Sequence, residues 1–312
     1  MSFIFNLAYF CAGFILNFFG SAKLVIWWFF NTPVSVVLRL LRISFASFAL
    51  YMVNKRRYKF VSKKSLQQRK TGNRIFIFGS GSSLNELTEA EWVKIRRHDS
   101  FGFNGSFHLK KINFTYLLIR AAYETVDGIF KWRPYADYSI SLIDDNRCLE
   151  DTLFLFPFGL TSSYTNSIVG HRLWNQKKSI YSFFTDRFGK RPHKDLDVGL
   201  VQRAGTLCMA ISCAYAMGYK EIVLIGVDLY DNRYFWVPED KTLNWSKEEN
   251  REIHSDVTVR GLHTSDSHNT VNNGIIEIIR DWGLYMQLNN VKLTVYNKKS
   301  LLTDSVETFS WD

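Results

Sequence analysis

The stretch Thr206–Asp228, TLCMAISCAYAMGYKEIVLIGVD, decides the fold. From Thr206 to Met217 it sets Leu, Met, Ile, Ala and Cys at helical spacing, and it stops at Gly218, the residue type that ends helices in a left-handed turn. Directly after Tyr219-Lys220-Glu221 comes Ile222-Val223-Leu224-Ile225, apolar without alternation, as a strand buried on both faces must be. A helix that feeds straight into such a strand is the building unit of a parallel sheet covered by helices. The strand ends at Gly226-Val227-Asp228, so Asp228, Leu229 and Tyr230 are delivered to the carboxyl edge of the sheet, where ligands of doubly wound folds bind.

The same pattern recurs upstream. Arg74-Ile75-Phe76-Ile77-Phe78 is a short apolar run that ends at Gly79-Ser80-Gly81-Ser82-Ser83, and Leu84, Leu87 and Trp92 come after it at helical spacing. Strand, tight loop and helix are expected there, and such a loop can turn backbone N–H groups and small hydroxyls toward a phosphate or ribose. It lacks the third glycine of the dinucleotide fingerprint and the lysine of a P-loop, so an ordinary βα turn has the same composition. Further strands are expected at Asp99–Asn104, Phe114–Ile119, Thr152–Pro157 and Val291–Tyr296, with a helix over Gly274–Leu288. The whole reads as α/β: a Rossmann-like, mostly parallel sheet preceded by amino-terminal membrane-associated helices. Between Val237 and Ser267 the chain turns polar and loses periodicity, around Trp245, His254 and His263 and just before His268, which predicts a mobile loop or lid.

Charge divides the 312 residues unevenly. The net charge of +10 comes from residues 1–70, which hold 11 Lys/Arg and no Asp or Glu, whereas residues 71–312 hold 28 basic and 29 acidic side chains. A basic balance confined to an apolar, aromatic-rich end points to a membrane surface rather than to nucleic acid. Ser2 to Ala22 carries no charge and is about long enough to span a bilayer, although Asn6 and Asn17 interrupt it. Leu24–Phe30 and Leu40–Val53 are shorter runs; Arg39 and Arg42 suit the second to a helix lying in the interface. With no basic leader and no small-x-small cleavage site, a secretory signal fits poorly. The cluster Lys55-Arg56-Arg57, Lys59, Lys63, Lys64, Arg69 and Lys70 matches anionic inner-leaflet lipid and keeps the rest of the chain in the cytoplasm. The expected organisation is a membrane-associated hydrophobic segment over 1–53, a basic linker over 54–73, and a catalytic domain over 74–312 with its lid at about 237–267. Localisation at the inner membrane, facing the cytoplasm, is the corresponding expectation.

Cys11, Cys148, Cys208 and Cys213 show no metal-ligand spacing and no disulfide framework. Asp144 and Asp145 are adjacent rather than spaced for a metal, and no metal site is expected.

The segment Arg203–Phe235, RAGTLCMAISCAYAMGYKEIVLIGVDLYDNRYF, resembles the bacterial lipooligosaccharide sialyltransferases of glycosyltransferase family 42, which are alpha-2,3-sialyltransferase-like. It is similar to their Arg-x-x-Ser-Gly helix, Gly-Tyr-Lys-Glu-Ile strand entry and Gly-x-Asp-x-Tyr end. FGSGSSL (Phe78–Leu84), FGFNGSF (Phe101–Phe107) and Asn297–Leu302 fall in the family's order, so the resemblance covers residues 74–302. It implies a GT-A variant of the Rossmann-like fold and a metal-independent inverting transfer of sialic acid from a CMP-sugar. The acceptor would be a glycan or glycolipid of lipooligosaccharide or capsule. The CMP-sugar is a donor substrate, and no cofactor is implied. Gly79, Ser80, Gly81, Ser82, Ser83 and Asn104 would hold cytidine, ribose and phosphate. Arg203 and Thr206 would flank the donor, and Tyr230 and Tyr234 would donate hydrogen bonds to the departing phosphate. Arg120 stands roughly where the family has a second Asn, and could bind phosphate or the donor carboxylate. Asp228 belongs with the donor-binding set by its position after the strand.

The base departs from the family pattern. A His-x-x-Asn-Thr run becomes Asp266-Ser267-His268-Asn269-Thr270, with Asp where the His would stand. A base near neutral pKa is needed at the acceptor hydroxyl, which ranks His268 first, His263 second and Asp266 third. Two other readings stay open: a pterin diphosphokinase-like or flagellin-glycosylation accessory protein, and a non-catalytic nucleotide-sugar-binding protein that has lost its base. A homo-oligomer is compatible with either.

Overall fold

The computed structural model describes residues 45–46, 48–119, 123–126, 129–132, 143–158, 164–170, 172, 174–230, 234–236, 271 and 273–311. In chain order its strands are β1 (Lys59–Phe60), β2 (Arg74–Phe78), β3 (Asp99–Phe103), β4 (Tyr116–Leu118), β5 (Tyr123–Val126), β6 (Ile129–Trp132), β7 (Leu153–Phe158), β8 (Ser179–Asp186), β9 (Leu200–Val201), β10 (Glu221–Ile225), β11 (Lys292–Val295) and β12 (Glu307–Thr308). The helices that matter here are α1 (Lys63–Gln68), α2 (Glu89–Ile95), α3 (Tyr164–Gly170), α4 (Thr206–Ala216) and α5 (Ile275–Leu288). Residues 48–54 are also helical.

The main sheet runs β1-β8-β7-β4-β3-β2-β10-β11-β12, with β9 added beside β8. Every pair in it is parallel. β5 and β6 form a separate antiparallel hairpin. The protein is therefore α/β with a mostly parallel sheet, as the alternation of apolar runs and helical stretches predicts. The chain winds outward from β2 through β3, β4 and β7 to β8. It then returns through α4 to β10 on the other side of β2, so the order reverses between β2 and β10.

Both faces of the sheet are buried, which is why its strands read as unbroken apolar runs. Ile75 and Ile77 of β2 share one core with α4 and with Ile279, Trp282 and Met286 of α5. Phe76 and Phe78 point the other way, into a core with Trp92 and Ile95 of α2 and Ile168 and Val169 of α3. All eleven residues of α4 are buried. Its Ala, Ser and Cys side chains let it lie close to the sheet, and its Tyr215 meets Tyr285 of α5 at 5.9 Å. Burial pushes the Cys208 thiol up to about 11 and the Cys213 thiol higher still, so both act as small apolar fillers rather than nucleophiles.

Three local features differ from the sequence reading. The glycine loop does not open a helix: Ser82–Glu86 is a 3-10 turn, and α2 starts only at Glu89, where Thr88 and Glu91 form a capping box. β8, at eight residues the longest strand described, is absent from the sequence expectations because Ser179, Ser182 and Thr185 break its apolar run. The stretch 54–73, expected as a basic linker, carries secondary structure of its own. It supplies β1, which pairs with β8, and α1, whose Leu66 is fully buried. Residues 1–44 and the stretch 237–267, expected as a lid, lie outside the described residues. Among the described residues no helix is long and apolar enough to cross a membrane.

Candidate functional site

The site is built where β2 and β10 end together. Phe78 lies opposite Ile225 in the ladder, so Gly79 and Gly226 leave the sheet side by side at the carboxyl edge, at the point where the strand order reverses. The glycine loop is then stitched to the β10 exit. Gly79 N donates to Ile225 O at 2.8 Å, and Gly81 N donates to Gly226 O at 2.8 Å. No side chain fits at either glycine: a Cβ on Gly79 would stand 2.2 Å from Gly226 O, and one on Gly81 would stand 2.3 Å from Asp228 Oδ2.

Asp228 is the centre of this stitching. It is 2% exposed. Its Oδ2 accepts from Ser83 N at 3.0 Å, and its Oδ1 accepts from Ser83 Oγ and, at 2.9 Å, from Asn297 Nδ2. The segment after β11 closes over it. Asn297 Oδ1 accepts from Lys299 N, Ser300 Oγ donates to Val227 O at 2.6 Å, and Leu301 N donates to Asp228 O. With three donors on its two oxygens, Asp228 braces the loop from inside the protein. The N–H groups of Gly79, Gly81 and Ser83 already have protein acceptors, and no helix dipole stands behind them. The loop turns outward the half-buried pair Ser80 and Ser82.

Leu229 adopts a left-handed conformation, φ 62°, a costly one for a branched side chain. The turn sends Asp228 inward and leaves Tyr230 half-buried at the edge. Tyr230 Oη accepts from Asn297 Nδ2 at 3.3 Å, which leaves its own proton for an outward acceptor. Burial raises the Tyr230 pKa above the usual phenol range; Asn297 and Lys299 act against that, and the Asp228 and Glu86 carboxylates add to it. At neutral pH Tyr230 is therefore a hydrogen-bond donor and not a base. Lys299, exposed and paired with Glu86 at 3.0 Å, brings a cation to the same rim.

Two neighbouring elements reach this edge. Asn104 comes directly after β3, next to β2, exposed and left-handed at φ 49°, a conformation that Asn tolerates. α4 leads into β10 and so runs antiparallel to it, which puts the α4 N-terminus at the carboxyl edge. There Gly205 stands at φ 141° with no side-chain cap and open space around it, Thr206 is buried, and Arg203 is exposed. The uncapped N–H groups and the guanidinium together favour an anion.

Residues 234–236 fold back over the glycine loop. Tyr234 bridges to Gly81, Phe235 N donates to Ser80 O at 3.1 Å, and Asn85 Nδ2 donates to Phe235 O at 2.9 Å. A ladder of rings holds them: Tyr234 on Trp236 at 4.6 Å, Trp236 on His108 at 4.3 Å, His108 on Phe107 at 4.5 Å. Trp236 lies so close to Gly105 that a Cβ there would come within 2.2 Å of the indole. Half-buried Tyr234 is thus a stacked member of the ladder at the loop.

The structure brings together Gly79–Ser83, Asn104, Asp228, Tyr230 and Tyr234, with Arg203 and Thr206 at the same edge. Arg120, His263, Asp266 and His268 lie outside the described residues. Trp236 and His108 were not singled out by sequence, and Asn297 entered only as the first residue of the Asn297–Leu302 segment, with no role of its own. Asn297 carried a signal, in the turn that ends the last core strand; the ring ladder carried none. The His193–Asp186 pair, 3.0 Å apart, sits at the end of β8, four strands from β2 and so roughly 19 Å away by strand spacing. Among the described residues no group of three or more His, Cys, Asp or Glu is placed to hold a metal. Compared with known proteins, the chain matches no family model and no curated sequence.

Proposed function

We propose that this protein is a metal-independent inverting glycosyltransferase that transfers sialic acid from a CMP-sugar to a glycan or glycolipid acceptor, on a GT-A-like variant of its parallel-sheet fold. The observation that carries the reading is Tyr230. It is a phenol kept protonated by burial, its oxygen tied to Asn297, at the switch point of the sheet, on the carboxyl edge that also carries the uncapped α4 N-terminus and Arg203. A nucleoside monophosphate leaving group gains negative charge as it departs. Fixed O–H, N–H and guanidinium donors stabilise that charge.

In this reading the phosphate sits toward the α4 N-terminus and Arg203, and Ser80, Ser82 and Asn104 face the nucleoside. Protein acceptors take the N–H groups of Gly79, Gly81 and Ser83, which argues against a phosphate cradle of the diphosphokinase kind. A lid base, His268 before His263 and Asp266, accepts the proton of the acceptor hydroxyl. That oxygen bonds to the anomeric carbon as the bond to the phosphate oxygen breaks. Residues 1–70 attach the protein to the inner face of an anionic membrane; deleting residues 1–44, which leaves β1, α1 and the buried Tyr51, Tyr58 and Leu66 in place, should lower its share of the membrane pellet.

Calorimetry with cytidine, uridine and adenine nucleotides in chelator tests the donor. Preference for cytidine monophosphate together with turnover of a CMP-sugar is expected. Binding without turnover would transfer the case to a non-catalytic nucleotide-sugar binder, and a strict requirement for Mg²⁺ or Mn²⁺ would overturn the metal-independent mechanism.

A further inference from the structure

The helical stretch 48–54 is turned inside out. Its polar residue faces the body: Asn54 Nδ2 donates to Gly170 O at 2.9 Å, and Asn54 Oδ1 accepts from Arg172 Nε at 3.0 Å. Tyr51 packs inward against Phe48, Phe60 and Phe158. The side chains that face away are apolar. Leu50 is 40% exposed, Met52 44% and Val53 72%, and Phe45 just before them is 68% exposed. A surface helix in water shows the opposite arrangement.

Cations come at once after it. Lys55-Arg56-Arg57 form a 3-10 turn, and Lys59 is exposed on β1. Among the described residues none of these four has a carboxylate partner, whereas Lys63, Arg74, Arg96, Arg191, Lys292 and Lys299 all do. The apolar surface also continues along the sheet. Tyr51 lies 5.6 Å from Phe158, and Phe158 lies 5.5 Å from Phe184, which is 59% exposed in the second half of β8.

We propose that the β1/β8 side of the sheet, through residues 45–59 and Phe184, is the surface on which the protein lies against an anionic bilayer. The apolar side chains enter the acyl boundary and the four cations meet lipid phosphates; no acidic residue among 1–70 opposes them. The inference rests on the membrane reading above and adds the face and the orientation. Because Phe184 stands toward the carboxyl end of β8 and Lys59 lies opposite Ser179 at its amino end, the edge of the sheet lies along the bilayer surface rather than end-on to it.

The test uses the full chain with vesicles of phosphatidylcholine and phosphatidylglycerol, at about 7:3 to give an anionic surface, containing a diazirine-bearing phosphatidylcholine. Lipid adducts are mapped by peptide mass spectrometry after illumination. Adducts are expected on the peptides that hold residues 45–54 and Phe184, and not on the peptide that holds Leu284 and Leu288, which are apolar and exposed on α5. In the full chain, Arg56→Gln with Arg57→Gln and Lys59→Gln should lower vesicle partitioning about 10²-fold, about fivefold per charge. Failure of the chain to sediment with vesicles overturns both the membrane reading and this inference. Sedimentation with adducts confined to residues 1–44, or as abundant at Leu284 and Leu288, overturns this inference alone. So does equal partitioning of the triple variant.

Discussion

Replacing Asp228 by Asn keeps its shape and removes its charge, and the structure says what must break. The carboxylate accepts from Ser83 N, Ser83 Oγ and Asn297 Nδ2 while buried. An amide has one acceptor oxygen. If it takes the Oδ1 position, the new NH₂ faces Ser83 N–H; if it takes the Oδ2 position, it faces Asn297 Nδ2. Either way a buried donor loses its acceptor, at about 1–3 kcal/mol, and the remaining bonds lose charge assistance worth about 1 kcal/mol. The expected destabilisation is about 3 kcal/mol, or roughly 6–12 °C in melting temperature for a domain of this size. Circular dichroism melts and denaturant midpoints at unchanged m-value measure it. Ser83→Ala should be non-additive with Asp228→Asn, since the two remove one shared bond. A melting temperature within about 2 °C of the parent, or full additivity, would refute the view that Asp228 braces the site.

Other contacts give further outcomes. Tyr230→Phe keeps the ring and its packing but removes the outward donor, so kcat should fall about 10²- to 10³-fold with nucleotide affinity nearly unchanged. His268→Ala should lower transfer about 10²- to 10⁴-fold, and His263→Ala and Asp266→Asn in the same assay identify the base; near-native transfer in all three discards the lid assignment. Gly105→Ala should push Trp236 off His108, cost about 1–3 kcal/mol and red-shift tryptophan emission. Burial pushes the Glu91 carboxyl up, but bonds from Tyr296 and from the Thr88 N–H and hydroxyl, with Lys94 nearby, hold it below the usual carboxylate range. Its contribution is then complete above the ordinary glutamate pKa, about 4.3, and is lost as pH falls through the lower folded value. Glu91→Gln should flatten the acid limb of stability measured by chemical denaturation at stepped pH. Trp311→Ala, which empties the space against Phe76 and Phe309 and under Lys94, should cost about 2 kcal/mol in the same assay.

The central strands were legible because burial on both faces leaves an unbroken apolar run, as in Ile75–Phe78 and Ile222–Ile225. β8 was not, since buried Ser179 and half-covered Ser182 and Thr185 interrupt it and the pattern matches neither a period of two nor a continuous run. The Asp228–Tyr230 corner was legible from the strand end alone. Its chemistry was not: Asp228 appears in sequence as a residue offered to a ligand, and only the approach of Asn297 and Ser83 makes it internal. The packing role of the glycine loop was hidden in the same way. Gly79 and Gly81 are there for the close approach of β10, a contact formed by residues about 145 positions away. The ring ladder joins Phe107-His108 to Tyr234 and Trp236 across the fold, and spacing along the chain says nothing of such a meeting.

The brace on Asp228 joins residues 83, 228 and 297, and that separation has a consequence in time. At roughly 5–20 residues per second, between about 10 and 40 s pass from the synthesis of the glycine loop to that of Asn297. Through most of that interval β2, the middle of the finished sheet, has no β10 at its side and presents an unpaired hydrogen-bonding edge, the kind of surface that recruits chaperones or another nascent chain. A chain released early, even one that has already made β10, lacks the last of the three donors around the carboxylate. Under the proposed function, nucleotide binding should therefore report complete translation, and an interrupted product should be silent toward the donor as well as inactive.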